Sequence, residues 1–237
     1  RLALGGGTPT YLNASELERL FNIIVVFGVD YAATPSSVET SPLTASPERL
    51  SVLKKYHVKR ISMGVQSFIE NEVRSVGRSQ KNSTVFQAIE HIRHADFPIL
   101  NLDLIYGMAH QTPQSWLHSI DTALRFSPEE IFLYPLYVRP LTGIGKLARA
   151  WSDERLHLYR VGRDKLKTEG YEQVSMRYFR KPTNQSSSLD YSCQQDGMLG
   201  LGCGARSYTQ RWHYSSEYGV SQQSVKVILN YYMSRTI

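Results

Sequence analysis

Cysteine is nearly absent: the 237 residues contain two, Cys193 and Cys203. Two thiols cannot hold an iron–sulfur cluster or an all-cysteine zinc site, each of which needs more thiolates. They could close a disulfide, but nothing else points to secretion, and a reduced, cytoplasmic protein is expected. No apolar run approaches the roughly 18 residues that span a bilayer, so no membrane helix is expected. The start also lacks the basic segment, apolar stretch and small-residue cleavage site of a signal peptide. None of the seven histidines, at 57, 91, 94, 110, 118, 157 and 213, falls in a His-Glu-x-x-His spacing. His91 and His94, at i and i+3, read as a surface pair on a helix. A Gly-x-Gly-x-x-Gly fingerprint, a Gly-Lys-Ser/Thr phosphate loop and a Gly-x-Ser-x-Gly elbow are all missing.

What is present suits a globular chain. Hydrophobic residues make up 41% and charged residues 20%, enough apolar material for a real core. Lys and Arg outnumber Asp and Glu by 27 to 21, giving +6. The cations are scattered rather than clustered, which argues against nucleic acid as a partner. A basic pocket for a ligand with several carboxylates is compatible with them.

The chain opens on Arg1-Leu-Ala-Leu-Gly5-Gly-Gly-Thr8-Pro-Thr10. This reads as a short strand running into a glycine loop, where a ligand could approach the backbone closely. Asn13-Ala-Ser-Glu16 is a capping box, followed by Leu17, Leu20, Phe21, Ile24 and Val25 at helical spacing. Strands are predicted at Ser36–Thr40, Arg60–Val65, Ile99–Tyr106, Ile131–Tyr137 and Gln173–Phe179. Helices are predicted from Ser46-Pro47-Glu48, through Val73 toward Gly77-Arg78, over Thr84–His94, from Thr112-Pro113 to about Phe126, and from Ser152 to Thr168. In Ile99–Tyr106 the alternation puts Asn101 and Asp103 opposite Leu100, Leu102 and Leu104. Residues 181–190 read as a loop, 197–208 as a glycine-rich strand-like run, and 221–232 as a helix.

A strand–helix repeat every 30 to 40 residues means parallel strands with helical crossovers, either an open doubly wound sheet or a closed or partial barrel. In both, chemistry gathers at the carboxyl ends of the strands. Glu39, Gln66, Arg78 and Asp103 lie at or just past such ends. As a set they could bind a ribose, an amino-acid carboxylate and an ammonium group. Arg177, Arg180 and Lys181 at a strand end, followed by Arg206, Arg211 and His213, could offer cations to a polycarboxylate.

Gly5-Gly-Gly-Thr-Pro-Thr10, Glu39, Ile61-Ser-Met-Gly-Val-Gln-Ser-Phe68, Gly77-Arg78, Asn101-Leu-Asp-Leu-Ile-Tyr-Gly107 and Gln111-Thr-x-x-Ser-Trp116 together resemble the radical SAM superfamily. Within it they are similar to the branch of oxygen-independent coproporphyrinogen III oxidase and its haem-chaperone relatives. The resemblance implies a partial (β/α)6 barrel of the radical SAM type, here missing its first strand. It implies S-adenosylmethionine (SAM) and a [4Fe–4S] cluster as cofactors, making a 5′-deoxyadenosyl radical that takes hydrogen from an organic substrate, with a tetrapyrrole the candidate in this branch. It assigns SAM to Gly6, Gly7, Thr8, Glu39, Gln66, Arg78, Asp103, Leu136 and Arg206. Arg177 and Arg180 would meet the substrate, and a flavodoxin or ferredoxin would supply electrons. The alternatives are a haem-binding chaperone of the same fold and a radical SAM methyltransferase.

The sequence departs from that pattern at the cluster. No cysteine precedes residue 193, so no metal ligand is expected in this chain and the cluster cysteines are expected upstream. Ala109-His110 replaces the family's Pro-Gly. The expected division is 1–170 for the barrel and 171–237 for a C-terminal, substrate-side segment that includes Gln173–Phe179.

Overall fold

The computed structural model describes residues 1–137, 153–182, 195–215 and 222–234. They divide into two compact units, one of residues 1–137 and 150–182, the other of 138–149 and 183–237.

The first unit follows the predicted alternation. It runs β1 (Leu2–Leu4), α1 (Ala14–Ile24), β2 (Ser36–Thr40), α2 (Pro47–Lys55), β3 (Arg60–Gln66), α3 (Glu70–Ser75), α4 (Asn82–His94), β4 (Ile99–Tyr106), α5 (Pro113–Leu124), β5 (Glu130–Pro135) and α6 (Arg155–Thr168). β1 through β5 pair in parallel and in sequence order. The sheet is open, with no closed barrel among the described residues.

Local chemistry explains the helix starts. The Asn13 side chain accepts from the Glu16 N–H at 3.0 Å, and the Glu16 carboxylate accepts from the Asn13 N–H at 2.8 Å, a complete capping box. Thr112 and Ser115 form a second, with Pro113 between them in the first turn. Ser46 occupies the N-cap of α2 but caps no backbone amide; its hydroxyl accepts from Arg49 at 3.2 Å. Helix residues Leu17, Phe21, Leu53, Ile89, Trp116 and Leu158 are fully buried against Val38, Ile61, Leu102 and Leu133 of the strands. Val25, expected on that apolar face, is exposed, since the helix tightens into a 3₁₀ turn after Ile24 and rotates it away. Gly162 in α6 is required by packing: a Cβ there would lie 2.6 Å from the Trp116 indole nitrogen.

Gln173–Phe179 is not one strand. It splits into β6 (Glu172–Gln173) and β7 (Tyr178–Arg180), an antiparallel hairpin whose second strand pairs antiparallel with β5. Residues 171–182, grouped on sequence with the C-terminal segment, therefore complete the sheet of the first unit. In the second unit β8 (Arg206–Tyr208) pairs with β9 (His213–Ser215), and α7 covers Gln222–Ser234. The glycine-rich run forms a single bridge, Met198 to Tyr208, rather than a long strand. Gly200 passes so close to Arg206 that a Cβ would lie 2.1 Å from its carbonyl oxygen. The predicted loop at 181–190 falls largely outside the described residues.

Candidate functional site

Because strand side chains alternate, burying the Val38, Ile61, Leu102 and Leu133 face beneath helices turns Glu39, Ser62, Asp103 and Phe132 to the other face. The register sets Glu39 beside Ser62, Ser62 beside Asn101, and Asp103 beside Phe132. A polar row crosses the sheet at this level.

The glycine loop meets Glu39 directly. The Gly6 N–H donates to the Glu39 carboxylate, with Gly6 at φ +100°. A methyl at Gly5 would come within 2.8 Å of Glu39 Oε1, so the glycine permits this approach. Burial of the carboxylate raises the Glu39 pKa, against the Gly6 hydrogen bond and the Arg60 charge. Seen as a whole, Glu39 remains exposed. Beyond the loop, Thr10 is fully buried, and its hydroxyl pairs with those of Thr40 at 2.8 Å and Thr44 at 2.7 Å. That cluster ties the loop's exit to the end of β2.

Asp103 is the second carboxylate. It accepts from Asn101 Nδ2 at 2.7 Å and from Ser62 Oγ at 3.3 Å. Burial pushes its pKa up to about 6; the Glu39 charge adds to the rise, while the Asn101 hydrogen bond and Arg60 oppose it. Asn101 is fully buried and its Oδ1 has no hydrogen-bond partner, an acceptor aimed at this face. Arg60 is anchored by Glu130 at 2.5 Å, and Glu130 also accepts from the Tyr178 hydroxyl at 2.7 Å.

Gln66 reaches the same face by a different route. The β3–β4 register shifts between Gly64 and Gln66, and Gln66 takes φ +73°. Its amide lies over Gly64, where a Cβ would be 2.6 Å from Nε2. The structure thus brings together Gly6, Glu39, Gln66 and Asp103. Gly7 and Thr8 continue the loop, with Thr8 starting a 3₁₀ turn. Leu136 is buried just past β5, its N–H donating to the Tyr106 carbonyl at 2.8 Å. Arg78 is exposed just past α3, and among the described residues no hydrogen bond or ion pair joins its side chain to the row. Arg206 is exposed on β8 of the second unit. Arg177 is half-buried, while Arg180 faces Glu172 at 3.7 Å. Sequence reasoning missed Arg60, Ser62 and Glu130, although Arg60 and Ser62 alternate with buried Ile61 and Met63.

Residues 1–123 match the profile of the radical SAM superfamily. The chain belongs to that superfamily. Curated relatives include the heme chaperone HemW of Bacillus subtilis, 31% identical over 86% of this chain and 56% of the relative. An oxygen-independent coproporphyrinogen III oxidase of Synechocystis is 29% identical over 78% of this chain and 41% of the relative. The solved coproporphyrinogen III oxidase HemN of Escherichia coli, described as a radical SAM enzyme, superposes with a TM-score of 0.77 at 26% identity, over 86% of this chain and 51% of its own. The chain spans about half the length of such relatives. Radical SAM proteins use SAM and a [4Fe–4S] cluster. The SAM side fits this radical SAM chain: an open glycine loop, two carboxylates and a buried unpaired acceptor converge on one face. The cluster does not fit. Cys203 belongs to the second unit and Cys193 lies outside the described residues, so no triad of thiolates is available.

Proposed function

We propose that this radical SAM chain binds SAM on the polar face of its sheet and serves an oxidoreductase of the oxygen-independent coproporphyrinogen III oxidase type, acting on a tetrapyrrole. The observation carrying this reading is the convergence of Glu39 on the glycine loop with Asp103 one strand beyond Ser62. The roles follow from donor and acceptor chemistry. Glu39, fixed by the Gly6 N–H, and the backbone at Gly6, Gly7 and Thr8 would hold the amino-acid end. Asp103 and Gln66 would take ribose hydroxyls, Leu136 would border the adenine, and Arg78 would complete the site. The radical step belongs to a cluster that this chain's residues do not ligate, and no step is derived through it. Electrons would come from a flavodoxin or ferredoxin. A cytoplasmic setting is part of this reading; among the described residues Cys203 forms no disulfide and no helix is long and apolar enough to cross a membrane.

Calorimetric titration with SAM tests the reading. Glu39→Gln should weaken binding by roughly tenfold, the worth of a charge-assisted hydrogen bond. Unchanged affinity would remove Glu39 from the site, and no binding to the parent chain would remove the proposal. A haem-binding chaperone is the second reading, supported by 31% identity to HemW across 86% of the chain. Haem binding without SAM-dependent turnover in the whole protein would favour it.

A further inference from the structure

A second chemistry stands on the same face, toward β5 and β7. Phe132 stacks on Tyr178 with ring centroids 4.8 Å apart and on Tyr134 at 5.8 Å. The Arg177 guanidinium lies over the Tyr134 ring at 5.7 Å and over the Tyr137 ring at 5.5 Å. It also donates to the Tyr137 hydroxyl at 2.5 Å. Two rings hold this cation where an acid usually would, and among the described residues no carboxylate forms an ion pair with it. The neighbouring arginines differ: Arg180 faces Glu172 at 3.7 Å and Arg60 is bound to Glu130. Guanidinium carries five N–H donors in a planar fork, and the Tyr137 contact uses one of them.

Tyr134 adds a neutral donor. Burial and the nearby Asp103 charge push its pKa up to about 12, so it keeps its proton at neutral pH. Its hydroxyl makes no hydrogen bond among the described residues. In the register Tyr134 pairs with Ile105, two residues beyond Asp103, while Phe132 pairs with Asp103 itself. Neighbouring strands run about 4.8 Å apart, so the aromatic wall begins one strand from the proposed ribose carboxylate.

We propose that Arg177 and Tyr134 form an anion subsite for one carboxylate of a flat, largely apolar ligand, with Tyr137 fixing the guanidinium. The ligand's apolar body would lie against Tyr137, which is 59% exposed. The proposal deepens the tetrapyrrole reading and rests on it only for the ligand's identity. Of the two arginines expected to meet substrate, it assigns the carboxylate to Arg177 and leaves Arg180 to Glu172.

A test independent of the tetrapyrrole is NMR titration of the chain with 2-naphthoate and its uncharged analogue 2-naphthamide. Arg177→Met should weaken naphthoate roughly tenfold or more, as expected for a lost charge-assisted contact, and leave naphthamide unchanged. Tyr134→Phe, which keeps the ring, should cost naphthoate severalfold. Arg180→Met should stay within about twofold. No naphthoate binding to the parent chain, unchanged affinity in Arg177→Met, or equal loss of acid and amide would each overturn the subsite. Protoporphyrin IX and its dimethyl ester then separate the two ideas. If naphthoate behaves as expected and neither porphyrin binds, the tetrapyrrole reading fails and the subsite stands.

Discussion

At Asp103 the proposed role in SAM binding runs against stability. Its carboxyl titrates near 6 in the folded chain against an ordinary 3.8, because burial disfavours the charge. The unfolded chain therefore ionises first, and stability falls as pH rises from about 4 to about 6, then stays level. The loss is on the order of 3 kcal/mol. Asp103→Asn should be more stable than the parent above pH 6 by about this amount, with the gap closing near pH 4, measured by urea unfolding across that range. A gap independent of pH would mean that the carboxyl titrates normally. SAM affinity should run the other way, strengthening as pH rises through about 6 in the parent and staying weak and flat in Asp103→Asn. This residue was legible in the sequence because strand alternation set Asn101 and Asp103 apart from three leucines. Arg60 was not, since its partner Glu130 is 70 residues away and no local pattern joins them.

Between elements, a buried carboxylate organises the loops beside the site. Glu72 of α3 is 3% exposed. It accepts from Ser67 at 2.6 Å, Ser115 at 2.5 Å and Gln111 at 3.1 Å. Gln111 in turn accepts from the Gly107 N–H at 2.6 Å and donates to the Ile105 carbonyl at 3.2 Å. One side chain thus joins the end of β3, the loop after β4 and the start of α5. Glu72→Ala would leave these donors buried and unsatisfied, at a cost of about 2–4 kcal/mol. Glu72→Gln keeps an acceptor for Ser67 and Gln111 and should cost about 1 kcal/mol. Urea unfolding of both variants checks the order, and equal losses would show that the network adds little. The sequence announced α5 here through its Thr112-Pro113 cap and marked α3 only by its end at Gly77-Arg78. It hid the β6–β7 hairpin, because residues 174–177, Val-Ser-Met-Arg, lack the glycine or asparagine that marks a tight turn. Gln66 was named from its place at a strand end, but its left-handed backbone was not, since β3 carries no local sign of the register shift.

Across the first unit, nearly every strand contact is long-range. Ser37 pairs with Arg60, Arg60 with Ile99, and Asn101 with Glu130, each across a helical crossover. The β6–β7 hairpin is the main local exception. Arg60 and Glu130 then meet across β4, which must already be in place. Contacts of this kind form late, after the loops between them have closed. The Arg60–Glu130 pair is therefore a lock on the folded state and contributes little to reaching it. Arg60→Met should destabilise by about 2 kcal/mol, leaving a mostly buried Glu130 without its cation. Nearly all of that should appear as unfolding about thirtyfold faster, with the refolding rate unchanged in stopped-flow measurements. Slower refolding would put the pair in the folding nucleus. In time rather than in energy, the Arg60–Glu130 ion pair sets how long the sheet stays folded.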